Sequence, residues 1–315
     1  MNQMNNAQAR LIDPILTSIA RGYSNNEFVG SILFPTVPVT ARGGKIIQFG
    51  KEAFMLYATG RSPGQNTKRV TFGYAGSNFT LEQHALEGVL PMETRAEASA
   101  VPGIDLGQIT VRSVQDIIER RKEKAQADIA RNAANYAASN KVTLSGSSQW
   151  NDYSGTSDPV GNIEAGKEVV RQKIGKKANV AVIGALVFSA LKNHPKVVDR
   201  MKYTGRDVAT PELLASLFGL DKVVVGEAIF ADDAGNFADI WGRDVVLAYV
   251  ELGSLADKGK PSYGYTYQLE GYVQVEEPYY ERNPKSWIYP VTDELAPVMA
   301  GADAGFLISN AVAPV

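Results

Sequence analysis

The chain has 315 residues and a formal net charge of −2. Its hydrophobic content of 44% and charged content of 21% are those of a folded protein, and the missing basic surplus argues against tight nucleic-acid binding, which depends on neutralising phosphates. With no cysteine and two histidines, disulfides, thiolate nucleophiles, Cys-ligated metals and His-rich metal centres are excluded or disfavoured.

No apolar run reaches the roughly 18 residues a membrane span needs. Met1–Arg10 is polar and lacks the apolar core of a signal peptide. The expected setting is a cytoplasm, or something assembled there, with no metal and no cofactor.

Residues 1–40 read as an arm. Leu11, Ile12, Ile15, Leu16 and Ile19 fall at helical spacing around Asp13-Pro14. Phe34-Pro35-Thr36-Val37-Pro38-Val39 must be extended, because each residue before a proline is pushed out of the helical region. Such a segment needs another surface to lie on.

Residues 43–90 read as a long hairpin. Lys45–Phe49, Phe54–Tyr57 and Arg69–Tyr74 are strand-like, and Gly60–Thr67 between them is dense in turn formers. Phe79–Leu90 continues extended. The polar tip suggests a projection facing solvent or a partner.

Residues 105–139 carry the strongest helical signal, with Asp105 as cap. Val111, Val114, Ile118, Ala125, Ile129, Ala133 and Tyr136 form one apolar stripe, and Glu119–Lys124 reads as a solvated charge block or a subunit contact. A helix of about 33 residues would run roughly 50 Å. Ile118 and Ile129 should both face the C-terminal strands. Arg120, Lys124 and Arg131 should lie at the surface or against neighbours.

A Gly/Ser-rich loop follows at 143–161, then a helix over Asn162–Lys177. Asn179–Ile183 reads as a buried strand and Ala185–Asn193 as a helix stopped by Pro195. A short helix over Glu212–Phe218 ends at Gly219. Lys222–Val225 and Asp244–Tyr249 are strand-like. From Tyr263 the chain turns β, through Val275, Trp287–Val291 and Phe306–Ser309.

Motifs with chemical potential are weak. Gly60-Arg61-Ser62-Pro63-Gly64 matches G-x-S-x-G. Pro63, however, sits where a backbone N–H should help form the oxyanion hole, and a strand-like run follows instead of a helix. Gly161–Lys167 matches most of a P-loop, but Glu168 replaces the Mg²⁺-binding Ser or Thr and no apolar strand precedes it. His84 and His194 read as surface or packed histidines. Asp232-Asp233 and Glu276-Glu277 are adjacent carboxylates; on a strand they would point to opposite faces, so turns are the simpler reading.

The order of parts resembles the major capsid proteins of tailed phages with the Hong Kong 97-type fold, an α+β architecture. The resemblance spans nearly the whole chain. It is carried locally by Phe79–Glu87, by Asn179–Gly184 with Ala190–Pro195, by Leu217–Glu227 and by Ala304–Ile308. It implies an N-terminal arm (1–40) and an E-loop hairpin (41–91). It implies a peripheral (P) domain with a spine helix (92–160 and 263–315) and an apical (A) domain (161–262). The implied function is self-assembly, as hexamers and pentamers, into an icosahedral shell around phage DNA.

The resemblance also implies a role in the virion without enzymatic activity, after assembly in the host cytoplasm. The partners implied are a separate scaffolding protein, since the arm starts almost at once, a portal, optionally a decoration protein, and weakly held double-stranded DNA. Lys51, Arg61, Lys68, Arg69, Arg120 and Lys124 are the candidate inter-subunit contacts. Some relatives crosslink through a lysine on the E-loop and an asparagine of the neighbour; Lys51 and Lys68 lie in this loop, but no partner Asn can be assigned, so the resemblance does not imply crosslinking here. The rivals are an encapsulin-like compartment shell, which shares the fold, and a serine hydrolase using Ser62.

Overall fold

The structure is a computed structural model that describes residues 13–21, 27–45, 59–61, 64, 66, 69, 78–99, 105–201, 209–251 and 262–314. In chain order, α1 (Pro14–Arg21) starts where the Asp13 carboxylate accepts from the N–H groups of Ile15 and Leu16. This satisfies donors that have no partner inside the helix. A single turn, α2 (Gly30–Leu33), leads into β1 (Thr36–Val39). β2 (Gly43–Lys45) pairs with β3 (Asn78–Thr80), followed by β4 (Glu82–Pro91), α3 (Met92–Ser99) and α4 (Leu106–Arg131).

Next come β5 (Lys141–Thr143), α5 (Pro159–Ile174), β6 (Val180–Gly184), α6 (Ala185–Asn193), α7 (Pro195–Met201), α8 (Pro211–Phe218) and β7 (Lys222–Gly226). β8 (Ile229–Ala231) and β9 (Phe237–Asp239) form a ribbon. β10 (Val245–Ala248), β11 (Gly264–Leu269), β12 (Gln274–Val275), β13 (Tyr279–Glu281), β14 (Ser286–Met299) and β15 (Gly305–Ser309) complete the chain.

Two sheets share α4. The first has six strands centred on β14, with β4 along one side and β11, β12 and β13 along the other. β14 tolerates Pro290 in its interior because three residues, 276–278, oppose two, 289–290, between the pairs Val275–Val291 and Tyr279–Ile288. That bulge leaves no ladder bond for a proline to break. The second sheet runs β5-β15-β10-β6-β7, with all five residues of β6 buried.

Each sheet has its own core. Val111, Val114 and Ile118 of α4 pack with Leu90, Tyr289 and Val291 of the first sheet and Leu16 of α1. Gly88 of β4 allows this approach: a Cβ there would strike Thr110 and Val114. Ala127 and Ala130 of the same helix belong to the core of the second sheet, with Leu33, Phe34, Trp241 and Leu247.

Several sequence expectations are corrected here. α4 has 26 residues and ends at Arg131, where Asn132 caps a following 3₁₀ turn. Its apolar stripe stops at Ile118, and the buried face continues through Glu123, Gln126, Ala127 and Ala130. Ile129 is only half-buried and packs on the second core, not beside Ile118. Pro195 does not merely stop a helix. It opens α7, because a proline in the first helical position loses no bond.

The extended part of the arm lies on its own subunit. β1 adds parallel to β11, with Thr36 opposite Thr266, and Leu33 and Phe34 are fully buried in their own subunit. β15 and β5 lie in the second sheet, with β15 beside β10. Of the hairpin, the base β2–β3 is formed as expected, while Phe54–Tyr57 and most of Lys45–Phe49 and Arg69–Tyr74 lie outside the described residues.

Candidate assembly surfaces

The hairpin base is held to the first sheet by two contacts, an ion pair and a ring stack. The Arg42 guanidinium donates to both carboxylate oxygens of Glu294, at 2.8 and 2.9 Å, and Tyr272 donates to the same carboxylate at 3.0 Å. Phe79 stacks on Tyr267 with ring centroids 4.2 Å apart. Leu81 N–H donates to the Arg42 carbonyl at 2.8 Å. Glu294 is buried and Arg42 is largely exposed, so the guanidinium closes over a carboxylate in the central strand. The partner carboxylate holds the Arg42 pKa above its ordinary value.

These contacts fix where residues 46–77 leave the sheet. Arg42→Met should leave Glu294 buried without its cation. We expect amide exchange in Gly43–Lys45 and Asn78–Thr80 to accelerate, since the base loses its charged anchor to the central strand. Unchanged protection would show that stacking and strand pairing alone hold the base.

At the junction of arm, helix and second sheet lies a buried carboxylate. Glu123 is 1% exposed. It accepts from Val29 N–H at 2.9 Å, from Gly30 N–H at 2.8 Å and from the Trp241 indole at 2.7 Å. Gly30 is required there, since a Cβ would run into Glu123 and Gln126. Burial raises the Glu123 pKa, and the bonds from Trp241, Val29 and Gly30 pull it back. The sequence reading of Glu119–Lys124 as a solvated face is therefore wrong at Glu123.

Arg131 is corrected too. It donates to Asp244 and to the Ile240 carbonyl, both at 2.7 Å, and ties the helix end to the second sheet. Arg120 pairs with Asp116, and Lys124 with Asp128, one turn away on the same helix. Lys124 also lies over the Phe230 ring, 5.0 Å from its centroid. Arg61 and Arg69 are exposed, and Lys51 and Lys68 lie outside the described residues.

The weak chemical motifs acquire structural explanations. Gly161–Lys167 lies inside α5, and Lys167 Nζ donates to the Phe218 carbonyl at the C-terminus of α8. Its charge sits against the negative end of a helix, not a phosphate. Ser157 Oγ is 2.8 Å from His194 Nε2 and donates to the Asp152 carbonyl. His194 Nδ1 accepts from Lys196 N–H at 3.2 Å. A neutral ring that accepts at Nδ1 carries its proton on Nε2, so it donates to Ser157 and cannot deprotonate it. Burial lowers the His194 pKa and favours that neutral ring. Asp232 accepts from the N–H groups of Ala234 and Asn236 and shapes a turn. Ser62 and Pro63 lie outside the described residues.

Among the large apolar side chains that remain exposed are two groups, which the sequence did not single out. Val89 and Met92 lie with Tyr279 and Tyr280 around the β4–β13 end of the first sheet. Ile229 and Phe237 lie on the β8–β9 ribbon, where Phe237 is 75% exposed. Apolar exposure of this kind marks contact surfaces more often than it marks chance.

Comparison with known proteins agrees with a contact-making role. Residues 135–277 match the family model of phage major capsid protein E. The major capsid protein of Burkholderia phage BcepMu is 41% identical over 309 residues, 96% of this chain and 98% of that protein. A crystal structure of a phage-related protein from Bordetella bronchiseptica RB50 is 44% identical, covering 98% of this chain and 100% of that one, with a TM-score of 0.83. The mature capsid of bacteriophage PhiM1 shares the fold at 14% identity and a TM-score of 0.54, over 91% of this chain and 88% of that chain. Identity over nearly the full length to a phage capsid protein decides against both the compartment shell and the hydrolase. The chain, a structural protein of the virion, belongs to the phage major capsid proteins.

Proposed function

We propose that this capsid protein builds its shell with the parts of the Hong Kong 97-type plan. The first sheet with α4 is the P domain and spine, the second sheet is the A domain with β5 and β15 included, and residues 46–77 are the E-loop, reaching a neighbouring copy. The observation that carries this reading is the anchored hairpin base. Arg42–Glu294 and Phe79–Tyr267 hold the two ends between which residues 46–77, with three Phe and two Tyr, are inserted. Such a segment cannot bury its apolar residues alone, and repetition by symmetry turns one such contact into a closed shell.

Lys51, Arg61, Lys68 and Arg69 are the contacts proposed on that loop. Arg120 and Lys124 are secondary, since each already has an ion-pair partner on its own helix. A separate scaffolding protein, a portal, an optional decoration protein and loosely held double-stranded DNA are the partners proposed, with assembly in the host cytoplasm. The near-neutral charge of the subunit suits DNA that slides along the inner wall.

Co-expression with the scaffolding protein should yield closed particles by size-exclusion chromatography and electron microscopy. Replacing 46–77 with a Gly/Ser linker should leave a folded subunit that forms none. Strictly monomeric wild-type protein in the presence of scaffold would refute the plan, and particles from the linker variant would remove the E-loop from it.

A further inference from the structure

The β8–β9 ribbon is built as a rigid projection. Its inner face is anchored: Phe230 packs on the second core and under Lys124, and Ile240 and Trp241 behind it are buried. Its tip is fixed, with Asp232 accepting from Ala234 N–H at 2.9 Å and Asn236 N–H at 2.8 Å. Two-stranded ribbons are marginal by themselves, so these anchors matter.

The outer face is apolar and wet. Ile229, Ala231 and Phe237 share it, because Ala231 and Phe237 are cross-strand partners and Ile229 is two residues from Ala231. All three are exposed. The ribbon segment 227–239 carries Glu227, Asp232, Asp233 and Asp239 and neither Lys nor Arg. It is an acidic surface around an exposed aromatic side chain carried on a hydrogen-bonded turn. Ordering a loop in advance lowers the entropic cost of docking it.

A complementary surface occurs on α6 and α7. Leu186 and Val198 are exposed apolar residues there, and Lys192 and Arg200 are exposed cations. Both surfaces begin at the same end of the second sheet. α6 leaves the C-terminal end of β6 and the ribbon leaves the C-terminal end of its parallel neighbour β7. In a ring made by rotation, elements at one height on successive copies are the ones that meet.

We propose that the ribbon of one subunit docks, through Phe237 and Ile229, on the α6–α7 surface of the next copy, with Asp233 and Asp239 facing Lys192 and Arg200. The contact is heterologous, so it propagates head to tail. The proposal rests on the shell reading above, because only a symmetric assembly presents the second copy.

The absence of native cysteine makes a direct test available. Ala231→Cys and Ser189→Cys are small changes at exposed positions on the two surfaces. In oxidised particles they should crosslink into a ladder of trimers, tetramers and larger species on a denaturing gel. Particles that stay monomeric or stop at dimers on that gel would overturn the pairing while leaving the shell reading intact. A complete failure of wild-type protein to form particles would instead overturn the shell reading. Phe237→Asp should keep the melting temperature of the free subunit and lower particle yield by about tenfold or more, as loss of an aromatic anchor does. Normal particles from Phe237→Asp would also overturn the proposal.

Discussion

Ile118→Asp should abolish folding of the subunit. Ile118 is 5% exposed and packs against the first sheet with Val114 and Val291. Removing such a side chain costs about 2–5 kcal/mol through lost transfer energy and a cavity. The carboxylate adds the penalty of an unpaired charge in an apolar site. The sum approaches the whole stability of a typical domain, about 5–15 kcal/mol. The same helix supplies its own control. Ile129 is half-buried, so Ile129→Ala should cost about 1 kcal/mol, where Ile118→Ala costs about 3. Denaturant titration of the free subunit measures the two alanine variants, and loss of the native circular dichroism and of soluble subunit reports Ile118→Asp. Equal costs at 118 and 129 would mean that the helix does not change cores between them.

Glu123→Ala should be the second most damaging change, at about 3 kcal/mol or more. It strips the acceptor from three buried donors, Val29 N–H, Gly30 N–H and the Trp241 indole. Each stranded donor costs about 1–3 kcal/mol, less whatever water recovers. The loss should depend on pH in a definite sense. Burial raises the folded pKa of Glu123 above its unfolded value. The folded state therefore binds this proton more readily, and the stability contributed by Glu123 falls as pH rises from the ordinary carboxylate pKa through the folded one. The penalty of Glu123→Ala should be larger near about pH 5 than at about pH 7.5. A penalty that grows with pH would mean that the bonds outweigh burial and that the shift has the opposite sign. Freed arm residues 27–39 should also become protease-sensitive in this variant.

What the sequence conveyed about this molecule tracks where apolar patterning alone decides the structure. Val111, Val114 and Ile118 are spaced for a helix against a sheet and that is where they are. Beyond Ile118 the helix buries Glu123 and Gln126, and no periodicity rule places a carboxylate in a core. Its reason is Trp241, 118 positions away. β14 was visible only as Trp287–Val291, because Asp293, Glu294 and Pro297 beyond it interrupt the apolar pattern. Asp293 and Glu294 are buried, the second under Arg42, and neither partner lies nearby in sequence. The arm was legible as an extended apolar segment but not as a strand of its own sheet, since pairing with β11 joins residues 36–39 to 266–269. Of the assembly surfaces, the hairpin was legible from its turn-rich tip. The ribbon was not, because Asp232-Asp233 reads as an ordinary polar turn and nothing in Ile229 or Phe237 says which way it points.

The position of β14 has a consequence for the order in which the molecule is made. β4 pairs with β14 along its whole length, from Glu82 opposite Leu295 to Pro91 opposite Ser286. The two strands leave the ribosome roughly 200 residues apart, about 10–40 s of synthesis at ordinary bacterial rates. During that interval β1, β4 and the Val111–Ile118 face of α4 have no sheet to cover them. A nascent chain in that state is a target for chaperones. Its hairpin base is also unanchored, because the Glu294 that holds Arg42 has not yet been translated. Late synthesis of one strand thus acts as a checkpoint: only a finished chain has its hairpin base held to its central strand.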